Sequence, residues 1–139
     1  RGMAWLTGRE DQAEWAYVLQ KLLDAAEAKE QRDQLVDRGM AWLTGREDRD
    51  EWNYVFRKLL DAAEAKEQRD QLVDRGMAWL TGREDRDEWN YVFQKLLDTV
   101  KAAARRRDLV CLGWHWVETH RDHPGARYVR RKLMRIFGT

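Results

Sequence analysis

Apolar residues recur along this chain at helical spacing, in two alternating sets. Trp52, Val55, Phe56, Leu59, Leu60 and Ala63 fall three and four places apart, which puts them on one face of an α-helix and leaves Tyr54 off it. This stripe predicts a first helix, A, over about Arg49 to Ala62. A second set, Leu72, Val73, Gly76, Met77 and Leu80, with Trp79 at its border, predicts a second helix, B, over about Glu67 to Leu80. The acidic run Asp48-Arg49-Asp50-Glu51 stands where helix A begins, so Asp48 is the expected N-cap and Glu51 its capping-box partner. Thr81-Gly82 follows helix B, and a left-handed glycine is the expected close. No alternating run of β-branched residues predicts a strand.

The join between the two stripes, Asp61 to Gln68, holds neither proline nor glycine, so one long helix competes with a hairpin. At about 100° per residue the stripes of a continuous helix would point about a quarter-turn apart and could not face one neighbour. A short turn near Ala65 and an antiparallel hairpin is the preferred reading. Gly76, costly inside a helix, then marks a place where another helix crosses closely, and Gly39 and Gly113 fall at the same offset.

The pattern repeats with a period of 37. Residues 1–37, 38–74 and 75–111 are three copies, and 112–139 is a degraded fourth in which Gly113, Trp116, Asp122, Tyr128, Val129, Lys132 and Leu133 keep their register. A fixed period of this length predicts an all-α chain, a right-handed α-solenoid of stacked helix-turn-helix units forming a single repeat domain over 1–139, because one unit cannot bury its apolar face alone. The first two copies differ at five positions, Gln12/Arg49, Ala13/Asp50, Ala16/Asn53, Leu19/Phe56 and Gln20/Arg57; residues 38–61 and 75–98 differ at Arg57/Gln94 alone. Near-identity of this degree implies recent duplication or design, and argues against a finely specialised pocket within 1–98.

Composition narrows the function classes. The chain of 139 residues is 43% hydrophobic and 37% charged, with apolar runs far short of the ~20 residues of a membrane span. The single cysteine, Cys111, excludes an intrachain disulfide framework and fits a reducing, cytoplasmic setting. Arg1 begins in mid-repeat without a start methionine, which reads as a piece of something longer. The net charge of +1 hides an asymmetry: residues 99–139 hold ten Lys or Arg against three acidic residues, and the remaining 16 basic residues face 22 acidic ones. Arg105, Arg106, Arg107, Arg127, Arg130 and Arg131 form the candidate basic patch. An acidic body repels nucleic acid, so that partner ranks below protein.

Six of the eight tryptophans read as core anchors, two per repeat. Tyr17, Tyr54 and Tyr91 lie off the stripe and, with Asn53 and Asn90, are the candidate interaction row. Residues 1–6 are half of a helix B without its helix A, so Met3, Trp5 and Leu6 are the candidate edge for self-association. Cys111, His115, His120 and His123 carry ligand chemistry, but their spacing matches no recurring zinc pattern, and neither metal nor cofactor is expected. No nucleophile, base and acid stand at a catalytic spacing and no glycine-rich phosphate loop is present, so no enzyme is expected.

The segment Trp116-Val117-Glu118-Thr119-His120-Arg121-Asp122-His123-Pro124, followed by Ala126-Arg127-Tyr128-Val129 and Leu133-Met134, resembles short Trp-containing helical-hairpin repeats of the tetratricopeptide-like kind. Similar arrays lie at the C-terminal ends of bacterial signal-transduction NTPases and related defence proteins. The resemblance implies a protein-interaction or sensor scaffold, part of a larger bacterial protein, with a protein or peptide partner. The alternative is an engineered or self-assembling repeat protein, a homo-oligomer with a structural role; nucleic-acid binding through the basic end is the third reading.

Overall fold

The computed structural model describes residues 5–12 and 14–137, and among these the chain is all-helical, without strands. Seven helices follow one another: α1 (Glu14–Ala25), α2 (Lys29–Leu43), α3 (Glu51–Ala62), α4 (Lys66–Gly82), α5 (Trp89–Thr99), α6 (Ala103–Thr119) and α7 (Ala126–Phe137). The odd-numbered helices are the A helices of the repeat and the even-numbered ones the B helices. These are tandem hairpins of the kind that build helical solenoids. They group into two compact units, residues 1–72 and 73–139, with the boundary inside α4.

The join is a turn in all three hairpins. Ala63 is extended (φ −71°, ψ 116°) while its N–H still reaches the Leu59 carbonyl at 2.8 Å. Val100 does the same at the end of α5 (φ −75°, ψ 127°; Leu96 O, 2.8 Å). The residue that holds this break is an arginine on helix B. Arg32 donates to Ala26 O at 3.0 Å, Arg69 to Ala63 O at 2.7 Å, and Arg106 to Val100 O at 3.0 Å and Leu97 O at 2.7 Å. A guanidinium there satisfies carbonyls that the helix end leaves without partners and opposes the negative end of the dipole.

The starts of the A helices differ from expectation. Asp48 does not cap α3: the N-terminal flanking residue is Asp50, already helical (φ −61°, ψ −33°) and without a side-chain capping bond. Glu51 instead meets Arg49 at 3.2 Å, and Glu88 meets Arg86 at 3.1 Å in the next copy. A guanidinium two residues away outcompetes a backbone N–H for the carboxylate, while tight backbone turns, Arg49 N–H to Arg46 O and Trp52 N–H to Arg49 O, lead into the helix. Gly45 follows α2 at positive φ (85°) and Gly8 has the same conformation (79°), whereas Gly82 is the last residue of α4 and is not left-handed.

In the first unit α1, α2 and α3 pack on one another. Gly39 of α2 lies so close that a Cβ built on it would stand 2.5 Å from Leu59 Cδ2 and 3.1 Å from Leu19 Cδ2. In the second unit α5, α6 and α7 pack the same way, and a Cβ on Gly113 of α6 would overlap the Phe93 ring and stand 3.1 Å from Leu133. The predicted close crossing is therefore present at both glycines.

Trp15, Trp42, Trp52, Trp79, Trp89 and Trp116 are buried. Each indole N–H whose partner is resolved donates to a backbone carbonyl: Trp15 to Leu6, Trp52 to Leu43 and Trp89 to Leu80, and Trp42 to Glu10 and Trp116 to Glu84, at 2.9–3.1 Å. An A-helix ring stacks on the B-helix ring 27 residues later, Trp15 on Trp42 at 5.4 Å and Trp89 on Trp116 at 4.5 Å, nearly parallel. In α1, α2, α3, α5 and α6 tryptophan thus ties the helix to the loop or helix end beside it, which a leucine could not do. No helix of the described residues is long and apolar enough to cross a membrane.

Candidate functional site

With the apolar stripe turned inward, the tyrosine of each A helix faces out. Tyr17, Tyr54, Tyr91 and Tyr128 are 63%, 55%, 53% and 52% exposed, and with Met134 they are the large hydrophobic residues left open among the described residues. Each unit carries two of them on A helices packed against each other, α1 and α3 in the first and α5 and α7 in the second. Cations lie over three of the rings: Lys21 over Tyr17 at 5.3 Å, Arg57 over Tyr54 at 5.3 Å and Arg127 over Tyr128 at 6.0 Å.

The asparagine before the tyrosine is buried, not exposed. Asn53 Nδ2 donates to Asp50 O at 3.0 Å and Asn90 Nδ2 to Asp87 O at 3.3 Å, so both tie the loop to the helix start. Three residues after the tyrosine comes a position of which sequence reasoning named Arg131 alone as a candidate, in the basic patch: Gln20, Arg57, Gln94 and Arg131. On α5, Gln94 Nε2 donates to Asn90 Oδ1 at 3.1 Å, which orients the Gln94 amide beside Tyr91. On α3 the counterpart is Arg57, its guanidinium lies over Tyr54, and Asn53 Oδ1 is buried without a partner. Two signals pointed to this position: the i, i+3 spacing from the tyrosine, and its being a place where near-identical copies differ.

In the second unit these groups line a cleft of about 560 Å³ with Asp87, His123, Pro124 and Gly125 around Asn90, Tyr91, Gln94 and Tyr128. His123 Nε2 lies 3.2 Å from Asp87 Oδ1, and its Nδ1 accepts the Gly125 N–H at 2.9 Å. Gly125 is needed here, since a Cβ would stand 2.7 Å from Asn90 Nδ2. The result is an open slot with an aromatic ring on each of two adjacent helices and amide groups at its floor, which suits a flat heteroaromatic ring with hydrogen-bonding edges.

The other candidates separate. Arg106 is engaged by helix-end carbonyls and Arg105 pairs with Asp74, while Arg107 and Arg131 are exposed and Arg127 and Arg130 line a second cleft. Leu6 is fully covered and Trp5 half-buried with Arg9 over its ring at 5.2 Å; Met3 lies outside the described residues. Cys111 is exposed, His120 stacks on Trp116 at 5.0 Å, and no group of three or more His, Cys, Asp or Glu among the described residues is placed to hold a metal ion.

Comparison with protein families finds a likeness. The Pumilio-family RNA binding repeat matches residues 17–38, 53–75 and 90–110, together a little under half of the chain. The three matches begin at Tyr17, Asn53 and Asn90, on the tyrosine-bearing turn, and each runs through helix A into helix B of one hairpin. Comparison with curated proteins and with solved structures returns no match. The family finding corrects three expectations. The repeats are similar to RNA-binding repeats rather than to the tetratricopeptide-like sensor arrays of signal-transduction NTPases; the protein-interaction or structural role and the bacterial signalling parent lose their support; and the match points to RNA, which ranked below a protein or peptide partner. The physical reason is that the acidic body weighed against nucleic acid, whereas stacking on an aromatic row depends on π-faces and not on net charge.

Proposed function

We propose that this protein binds single-stranded RNA, with one base taken by each tyrosine-bearing A helix. The base stacks on Tyr17, Tyr54, Tyr91 or Tyr128, and its edge meets the side chain three residues on, Gln20, Arg57, Gln94 or Arg131. The observation that carries the reading is the coincidence of the exposed tyrosines, recurring every 37 residues, with the starts of the three matched RNA-binding repeats. Asn53 and Asn90 act behind them as positioning residues, since their amides are turned to the loop carbonyls.

Variation among the copies supports the same reading. Between residues 38–61 and 75–98 the one difference is Arg57/Gln94, at the base-edge position, and Ala16/Asn53 and Gln20/Arg57 are two of the five differences between the first two copies. Otherwise conserved scaffolding with changes beside the stacking ring is what reading different bases requires. The role is one of binding, without chemistry on the RNA, and a cytoplasmic location fits it.

Fluorescence anisotropy with a labelled random-sequence single-stranded RNA tests the reading. Tyr54→Ala and Tyr91→Ala are each expected to weaken binding by about 1–3 kcal/mol. Both side chains are half exposed or more, so circular dichroism should be unchanged. Binding that is absent in the wild type, or indifferent to both substitutions, contradicts it.

A further inference from the structure

Where α5 carries Trp89 and Phe93, α7 carries Ala126 and Arg130. On α5 the two rings stack 5.1 Å apart, and the Trp89 indole N–H is held by Leu80 O. On α7 both rings are missing, and a cleft of about 500 Å³ opens between α6 and α7. Trp114, half-buried on α6, forms part of its wall. Arg121, Arg127 and Arg130 line it, with Glu118 as the one acidic residue in the lining. Their counterparts one repeat earlier are Met77, Glu84, Asn90 and Phe93, so the aromatic wall and all three cations belong to this hairpin alone.

None of the three arginines has a carboxylate partner among the described residues. Covering this face with apolar surface would strand guanidinium charges away from water, which is strongly unfavourable. A fitting ligand offers a flat ring to the indole and close to two negative charges to the guanidinium groups. A phosphomonoester carries about −1.5 to −2 near neutral pH with three strong acceptor oxygens, and arginine's planar fork matches them; a backbone phosphodiester carries one charge.

We propose that this cleft binds a nucleotide with a terminal phosphomonoester, its ring against Trp114 and its phosphate on Arg121, Arg127 and Arg130. The nucleotide is either free or the phosphorylated end of an RNA strand, and the second source rests on the RNA-binding reading above. The site is distinct from the tyrosine slot, which lies around Tyr91, Gln94 and Tyr128.

Isothermal titration of the wild type, Arg121→Ala/Arg130→Ala and Tyr54→Ala/Tyr91→Ala tests it. The probes are a nucleoside, its 5′-monophosphate, and one short RNA with hydroxyl, 5′-phosphate or 3′-phosphate ends. The monoester is expected to tighten binding by about ten-fold or more over its hydroxyl counterpart. That gain should vanish in the arginine variant and persist in the tyrosine variant. A gain with the mononucleotide alone assigns a free nucleotide, and a gain with one end of the RNA assigns that end. No gain in any arm, or a gain that survives loss of both arginines, overturns the proposal. Failure of the RNA reading appears separately, as no binding of hydroxyl-ended RNA to the wild type, and leaves the mononucleotide arm decisive.

Discussion

Helices α5 and α7 occupy the same place in successive repeats and pack on the same helix, α6, yet they offer the surroundings different chemistry. Val92 and Val129, and Leu96 and Leu133, are fully buried in both, and Tyr91 and Tyr128 are equally open. Trp89 and Phe93, however, give way to Ala126 and Arg130. The comparison separates two layers of information in the repeat. Val92 and Leu96, with Val129 and Leu133, hold the fold and do not change; Trp89 and Phe93, which also pack on α6, are replaced in α7, and with the positions beside the tyrosine they decide what each helix offers a ligand.

The largest way to break this comparison is to make α5 resemble α7. Trp89→Ala removes a buried ring stacked on Trp116 and Phe93 and leaves Leu80 O without its indole donor, so urea unfolding should show a loss of about 3–5 kcal/mol. A loss below about 1 kcal/mol would mean the ring is not the tie between the helices. Gly113→Ala should cost about 1–3 kcal/mol, because the new methyl overlaps the tip of a packed Phe93 ring. Gly39→Ala should cost less, because it meets the ends of a leucine, which can rotate aside more easily than a phenylalanine ring. The reverse order would contradict the packing described. Arg69→Ala should lower stability by about 0.5–1.5 kcal/mol through loss of the bond to Ala63 O, read in the same denaturant assay. Arg57→Gln works in the opposite direction: it supplies Asn53 Oδ1 with the partner that Gln94 gives Asn90, and should stabilise by about 1 kcal/mol.

Much of the framework was legible before the structure because it is periodic. The 37-residue repeat, the two stripes, the turn near Ala65 and the close approach at Gly39 and Gly113 follow from spacing and the absence of a side chain. What could not be read was local competition. Asp48 and Glu51 fit a capping box, but Arg49 stands two residues from Glu51 and takes its carboxylate. The tyrosines were legible as exposed, and their partner was not: the acidic count over the first 98 residues hides that Lys21 and Arg57 lie directly over the rings. Asn53 and Asn90, which looked like members of the exposed row, turn inward because loop carbonyls are within reach. Gln94, whose amide is oriented by Asn90, came into view through that inward turn.

The central claim is that each tyrosine-bearing A helix reads one base through the residue three places after its tyrosine. Selection from a randomised pool of single-stranded RNA, run in parallel with the wild type and Arg57→Gln, tests it most directly. The account predicts an enriched motif in both, with the preference at one position changed by the substitution and the neighbouring positions intact. No enrichment from the wild type, or an identical motif from both proteins, would contradict it.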